Sequence, residues 1–170
     1  VKVESTFQEK DSSNIANSIL VSVTGESFIK NPKLAEEIFG PYSILVKCKN
    51  IEELNHILST LDGQLTGTVL GIEDEIESFD FSISQLEKRV GRLIFNGVPT
   101  GVEVCSSMQH GGPYPASSDS RFTSVGTMAI KRFTRPVAFQ SWPDSRLPDE
   151  LKNNNPLNIW RLINGDFIKD

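Results

Sequence analysis

Two stretches of this 170-residue chain combine side chains that could bind or transform a small molecule. The first is Glu36-Glu37-Ile38-Phe39-Gly40-Pro41, which sets a carboxylate two residues before an aromatic ring and closes on a Gly-Pro turn. A carboxylate has two acceptor oxygens and can grip a diol, and an aromatic face beside it limits how a second ring can lie. Residue types alone favour a plainer reading, a loop that turns at Gly40-Pro41 and buries its Phe. The second stretch, residues 95–115, reads FNGVPTGVEVCSSMQHGGPYP and carries Cys105 and His110 in one glycine-rich loop. A nucleophilic Cys–His pair needs the base within hydrogen-bond reach of the thiol, and spacing in such a loop does not establish that. Two Cys and two His without ligand spacing give no metal site. Cys48 falls on the apolar face of an expected strand and reads as core. His56 sits on a helix turn and reads as surface or packing.

The elements that must position these stretches are legible from periodicity. Residues 4–17 are polar and read as loop. Residues 18–24, SILVSVT, are an apolar, β-branched run that reads as a buried strand. Residues 25–41 read as a connection with a helical turn after Pro32. Residues 42–48 alternate, with Tyr42, Ile44, Val46 and Cys48 on one face, which is strand periodicity. Asn50 can then cap a helix with Glu53 completing a capping-box-like pair, and Ile51, Leu54, Ile57, Leu58 and Leu61 form its apolar stripe before Asp62-Gly63 ends it. Residues 65–70 read as a strand, and Glu73-Asp74-Glu75 as a solvated surface or helix start. A helix is expected over 80–90, with Phe81 or Ile83, Leu86 and Val90 inward. Gly91 should break it, and 92–96 read as a third strand. Strands alternating with helices at these spacings predict an α/β organisation with parallel pairing through right-handed crossovers. Residues 97–124 are rich in Gly, Pro and Ser without period, and a stretch of that length inside a domain is expected to be an ordered functional loop. A short helix is expected over 125–132. A strand is expected over 136–142, from Pro136 to Trp142, with the proline at its start suiting an edge. The tail ends in an apolar patch, Leu157, Ile159, Trp160, Leu162 and Ile163, which must cover something.

Composition narrows the possibilities. A net charge of −5 argues against a nucleic-acid partner, which needs clustered Lys and Arg. Apolar runs such as Ile19-Leu20-Val21 fall far short of a membrane span. Two cysteines make no disulfide framework, so a reducing cytoplasm is the simplest compartment. The chain opens on Val1 with no recognisable leader, and it reads as trimmed from a longer protein.

The hexapeptide at 36–41 resembles the Glu-Glu-Ile-Phe-Gly-Pro signature of the aldehyde dehydrogenase superfamily, and the rest of the chain from Ser18 follows that family's C-terminal order. The 95–115 segment with its extension to Arg121, then RPVAFQSWPDSRLPDEL (135–151) and NPLNIWR (155–161), is similar to the branch that oxidises α-ketoglutaric semialdehyde (2,5-dioxopentanoate). Fatty-aldehyde dehydrogenases are similar in the same loop. The resemblance implies the C-terminal part of an aldehyde dehydrogenase catalytic domain plus its oligomerisation strand: a partial catalytic domain over 1–135, and the strand and tail over 136–170. Glu37 would accept hydrogen bonds from the nicotinamide ribose, Phe39 would pack near the nicotinamide of NAD or NADP, and Val104, Cys105, Ser106 and His110 would line the aldehyde tunnel. For each of these four, a loop residue without substrate contact is the plainer alternative. In the family a Cys thiolate attacks the aldehyde, a backbone amide and an Asn hold the oxyanion, hydride passes to the nicotinamide, and a Glu activates the water that releases the acid. No catalytic residue of that set is assigned here, because those segments precede this region in the family, and for the same reason Cys105 is not the nucleophile. The isolated chain is expected to be inert and to self-associate through 136–142. An Arg among Arg121, Lys131, Arg132 and Arg135 could hold a distal carboxylate bidentately. Charge balance at a helix end is the plainer role, preferred for Lys131 and Arg132 and left open for Arg121. A non-catalytic oligomerisation module is the alternative from another functional class.

Overall fold

A computed structural model describes residues 1–7, 16–99 and 101–169. The chain divides into two units, Val1–Arg132 and Phe133–Asp170.

The first unit begins with a correction. The polar stretch expected as loop from residue 4 is a strand as far as Phe7: β1 (Lys2–Phe7) pairs antiparallel with β2 (Ser18–Thr24), with a register shift between Val3 and Ser5. Polarity misled because β1 is an edge strand whose side chains are all exposed, where polar residues are an ordinary defence against stray pairing. The rest of the expected loop includes 8–15, outside the described residues. Glu4, at the register shift, accepts from the Ser22 hydroxyl at 2.6 Å and pairs with Lys2 at 2.9 Å and Lys47 at 3.4 Å. The Ser22 hydrogen bond first, then the Lys2 contact, hold its carboxyl down at about 2. One side chain thus ties β1 and β2 to β3 (Tyr42–Lys47), which runs parallel to β2.

The connection between β2 and β3 contains a helix that the sequence reading left out, α1 (Gly25–Lys30). Its signals were present: the Thr24 hydroxyl accepts from the Ser27 N–H at 3.2 Å, and Glu26 pairs with Lys30 one turn on. Gly25 opens the helix at a point where Glu53 occupies the place of a side chain, its Cδ 2.6 Å from an added Cβ. A 3-10 turn at Pro32–Ala35 follows, as expected after Pro32. Tyr42, Ile44 and Val46 take the more buried face of β3, in keeping with its alternation.

Helix α2 (Ile51–Thr60) starts at Asn50, whose side chain accepts from the Glu53 N–H at 3.0 Å. Glu53 reaches back to the Lys49 N–H at 2.7 Å, one residue before the usual capping-box partner. Ile57 meets Val23 and Phe28 in a small core, against which Leu34, Ile44, Val46, Cys48 and Leu61 pack. Burial, then the Glu53 carboxylate, raises the Cys48 thiol pKa, so the neutral form is favoured.

The second sheet holds β4 (Gln64–Val69) and β5 (Val90–Phe95), paired in parallel. The crossover contains a 3-10 segment over Glu73–Phe79, opening on the exposed acidic run, and α3 (Asp80–Glu87). The helix is shorter than expected. Val90 and Gly91 belong to β5, because the ladder begins where the Gln64 N–H donates to the Arg89 carbonyl at 2.6 Å. Ile83 and Leu86 are half-buried, whereas Phe81 is 63% exposed and faces out. Among the described residues, 97–124 hold no helix or strand, and the expected short helix after them is a 3-10 helix over Thr127–Phe133.

In the second unit, 136–142 are not a strand: no described segment pairs with them and every residue is exposed. Apolar, β-prone composition gives a chain extended leanings, but a strand exists only with a ladder partner. Phe139 and Trp142 instead meet edge to face, 6.1 Å between ring centres. Asn155, 7% exposed, bonds the Ile159 backbone with both ends of its amide. A hairpin of β6 (Arg161–Ile163) and β7 (Asp166–Ile168) follows. Its turn, Asn164-Gly165, has φ of 56° and 98°, the positive pair that a tight two-residue hairpin requires. The patch expected to cover something stays open, with Trp160 61% and Leu162 65% exposed.

Candidate functional site

The signature segment hangs between the 3-10 turn and β3. Its entry is tied by the Glu36 N–H donating to the Lys33 carbonyl at 3.3 Å, and its exit by the Ile19 N–H donating to the Pro41 carbonyl at 2.9 Å. Held at both ends, the middle projects outward. Phe39 is 94% exposed, which overturns the reading of a buried Phe behind a turn. Glu37 is exposed and makes no hydrogen bond or ion pair with the described residues. An uncommitted carboxylate two residues from an exposed aromatic ring offers acceptor oxygens for a diol and a face for a planar ring.

The loop over 97–124 is pinned by backbone contact. It leaves the C-terminal end of β5, where Asn96 (φ 48°) exchanges two side-chain hydrogen bonds with Gly71, at 2.9 and 2.8 Å, and so joins the exits of β4 and β5. By 111–114 the loop has reached the other end of the same strands. The Gly63 N–H donates to the Tyr114 carbonyl at 3.2 Å, and Gly91 faces the Gly111 carbonyl so closely that a Cβ would collide with it. On the return, Thr123, 4% exposed, accepts from the His110 N–H at 2.8 Å and donates to the Val125 carbonyl at 2.7 Å. The Ser124 N–H and hydroxyl both donate to the His110 carbonyl at 2.9 Å.

Val104, Cys105 and Ser106 therefore stand together, with Val104 75% exposed and Cys105 half-buried. His110 lies on the limb pinned by Thr123, and its Nδ1 is buried without a partner. No hydrogen bond joins His110 to Cys105; the Cys105 sulfur lies 3.5 Å from the Ser107 hydroxyl instead. The Cys–His pair is not formed. Glu37 and Phe39 form a separate group, with no hydrogen bond to the loop among the described residues. Arg121, 79% exposed, is committed to Asp119 through Nε at 2.9 Å and Nη2 at 2.6 Å. That contact holds the Asp119 carboxyl down at about 2 and raises the guanidinium pKa further. Arg121 is thus no open receptor for a substrate carboxylate.

Two clefts border these elements. One, about 420 Å³, opens among α2, α3, β4 and β5; Leu54, Leu58, Ile76 and Leu86 line it, and it contains none of the candidate residues. The other, shallow and about 570 Å³, lies beside the signature against Gly40, Pro41 and the ends of β1 and β2. The apolar cleft has the form of a packing surface, and the second adjoins the signature segment. Sequence reasoning missed Thr123 and Arg92, which hold the loop through its backbone and carry no motif. No group of His, Cys, Asp and Glu among the described residues could hold a metal ion, and no described helix is long and apolar enough to cross a membrane.

No protein-family model matches the chain. It is 45% identical over 150 residues to alpha-ketoglutaric semialdehyde dehydrogenase 2 of Azospirillum brasilense, a match covering 88% of this chain and 29% of that protein. It is 50% identical over 135 residues to alpha-ketoglutaric semialdehyde dehydrogenase of Acinetobacter baylyi, covering 79% of this chain and 26% of that protein. The chain thus spans less than a third of the length of the curated relatives it matches. Similarity of this depth across most of the chain, with the signature presented on an ordered mixed α/β scaffold, means that the chain belongs to the aldehyde dehydrogenase superfamily, as a C-terminal portion of such an enzyme.

Proposed function

We propose that this chain is the C-terminal part of an NAD(P)-dependent dehydrogenase that oxidises 2,5-dioxopentanoate to the dicarboxylic acid. The observation that carries the reading is the identity of 45 and 50% to two proteins named for that semialdehyde. The presented Glu37 and Phe39 support it. In this reading the Glu37 carboxylate accepts from the ribose hydroxyls, and Phe39 limits the tilt of the nicotinamide. The pinned loop carries Val104, Cys105, Ser106 and His110 along the aldehyde's path and keeps water from it. The bound nicotinamide supplies the hydride acceptor. The nucleophile and the general base come from the remainder of the enzyme, so this chain clasps and shapes but does not react. Both cysteines are free, which accords with a cytoplasmic setting.

The test is NAD(P)H formation by the full-length enzyme with 2,5-dioxopentanoate and with a long-chain aldehyde, alongside the purified 170-residue chain. The expected result is preference for the five-carbon substrate in the full-length enzyme and no turnover by the chain alone. Preference for the long-chain aldehyde would move the enzyme to the fatty-aldehyde branch, and turnover by the chain alone would refute the division of labour.

One observation favours a second, compatible role. Val137 at 57%, Phe139 at 42% and Trp142 at 55% exposed stand in a segment without a ladder partner, and they offer apolar contact and backbone groups to a neighbouring subunit. A monodisperse oligomer of the chain by light scattering, lost on Phe139→Asp, would establish this self-association module.

A further inference from the structure

Arg92 lies in β5, outside every motif read from the sequence. Its Nη1 donates to the Gly101 carbonyl at 3.1 Å and also reaches the Met108 sulfur at 3.8 Å, a weaker acceptor. These two contacts bracket residues 102–107, the segment that contains Val104, Cys105 and Ser106. Gly126 (φ +95°) lies close to the same segment: an added Cβ there would stand 3.0 Å from the Met108 Cβ and 2.8 Å from the Cys105 carbonyl oxygen. The Met108 N–H closes the turn by donating to the Cys105 carbonyl at 3.4 Å. Arg92 makes no ion pair with the described residues, and its Nε is buried without a partner. A half-buried guanidinium with no counter-charge keeps its place through neutral acceptors, and here the acceptors belong to the loop.

We propose that Arg92 is a positioning residue for the aldehyde: one guanidinium nitrogen ties both ends of a six-residue loop segment and thereby fixes where Val104, Cys105 and Ser106 stand. The inference rests on reading that segment as a wall of the aldehyde path. Arg121, by contrast, is taken up by Asp119 and does not brace the segment.

The experiment uses Arg92→Met and Arg92→Lys in the full-length enzyme. Methionine keeps an apolar stem of similar length and loses both contacts, whereas lysine keeps one donor-bearing charge and should restore part of the effect. The first readout is the ratio of kcat/KM for 2,5-dioxopentanoate to that for pentanal. It should fall about tenfold in Arg92→Met, the effect of losing one charge-assisted hydrogen bond, with the cofactor KM unchanged. The second readout is independent of turnover: alkylation of Cys105 by iodoacetamide, followed at the peptide level with Cys48, half-buried against the core on a separate element, as internal control. Cys105 should react about tenfold faster once the brace is gone, in line with one lost hydrogen bond, and Cys48 should not change. Acceleration at both cysteines would mean general destabilisation and would overturn the proposal. Faster Cys105 with an unchanged aldehyde ratio would keep the brace and sink its role toward substrate. No change in either readout would remove Arg92 while leaving wild-type oxidation, and so the function, intact. A wild-type enzyme that oxidises neither aldehyde would instead defeat the underlying function. If Arg92→Met fails to fold, Arg92→Lys carries the comparisons with a smaller expected change in the same direction at both readouts, and no change in either overturns the proposal.

Discussion

Replacing Gly91 by alanine in the full-length enzyme should loosen the loop without touching any residue proposed to meet substrate. A Cβ at Gly91 would stand 2.5 Å from the Gly111 carbonyl carbon, nearer still to its oxygen, and 3.0 Å from the Gly112 Cα. All of these are backbone atoms, so no side chain can swing aside. Ordinary contact begins at 3.4 Å, and the oxygen is the nearest atom, so either β5 or the loop must retreat by about 1.5 Å, more than the roughly 1 Å misplacement able to lower a rate about a hundredfold. The strand is held by its ladder to β4 and the loop by scattered hydrogen bonds, so the loop is the part that moves. The expected outcome is a fall of about a hundredfold in kcat/KM for the aldehyde with a stability loss of about 1–3 kcal/mol, typical of overpacking. The cofactor KM should hold, because Glu37 and Phe39 sit on the connection between β2 and β3. Gly101→Ala is the control, since nothing lies within 4 Å of an added Cβ there. Steady-state kinetics and thermal denaturation of the two variants decide the matter. Gly91→Ala kinetics equal to those of Gly101→Ala would refute both the tight apposition and the loop's place in the reaction.

Other consequences are as concrete. Glu37→Gln removes a charge that has no partner among the described residues, so melting should move by no more than about 0.5 kcal/mol, while the cofactor KM should rise about tenfold or more through the loss of charge-assisted bonds to the ribose; an unchanged KM in steady-state kinetics would remove Glu37 from the clasp. Asn50→Ala should cost about 1 kcal/mol by freeing the Glu53 N–H at the start of α2, read by urea denaturation, and Asn50→Asp should restore most of it. Glu4 and Asp119 have carboxyl pKa values held at about 2, below their ordinary 4.5 and 3.8. The unfolded chain therefore takes up protons first, and the stability these groups contribute is complete above about pH 4.5 and lost as the pH falls toward 2. Acid titration followed by circular dichroism should show that loss, and Glu4→Gln should flatten it.

What the sequence disclosed and withheld follows from the range of the interactions involved. β2, β3 and α2 were legible because their signals are local: a β-branched run, an alternation over six residues, and an Asn cap three residues before Glu53. Gly91 was misread as a helix breaker because its true requirement, the nearness of Gly111 twenty residues on, leaves no local trace. The need for glycine at position 25 is likewise long-range, set by Glu53. Two features were local and still passed over, the Thr24 cap of α1 and the Asn164-Gly165 hairpin turn, which is among the strongest short-range signals a sequence can carry. For the site, six residues placed the signature, but only the structure presents Phe39 outward. The loop's candidates were named as a group, whereas the groups that hold them, Arg92 and Thr123, emerge only from a path without periodicity.

Both parallel pairs carry a practical implication. β3 and β1 end one sheet, and β4 and β5 each keep one side without a ladder neighbour among the described residues. A parallel two-stranded ribbon is a poor endpoint for folding, since such sheets are normally enclosed on both sides. Unsatisfied edges of defined register are also what a split reporter needs. If the proposed division of labour holds, this chain supplied with the complementary segment of a relative offers a template for strand addition, and recovered dehydrogenase activity would report that the two pieces had met.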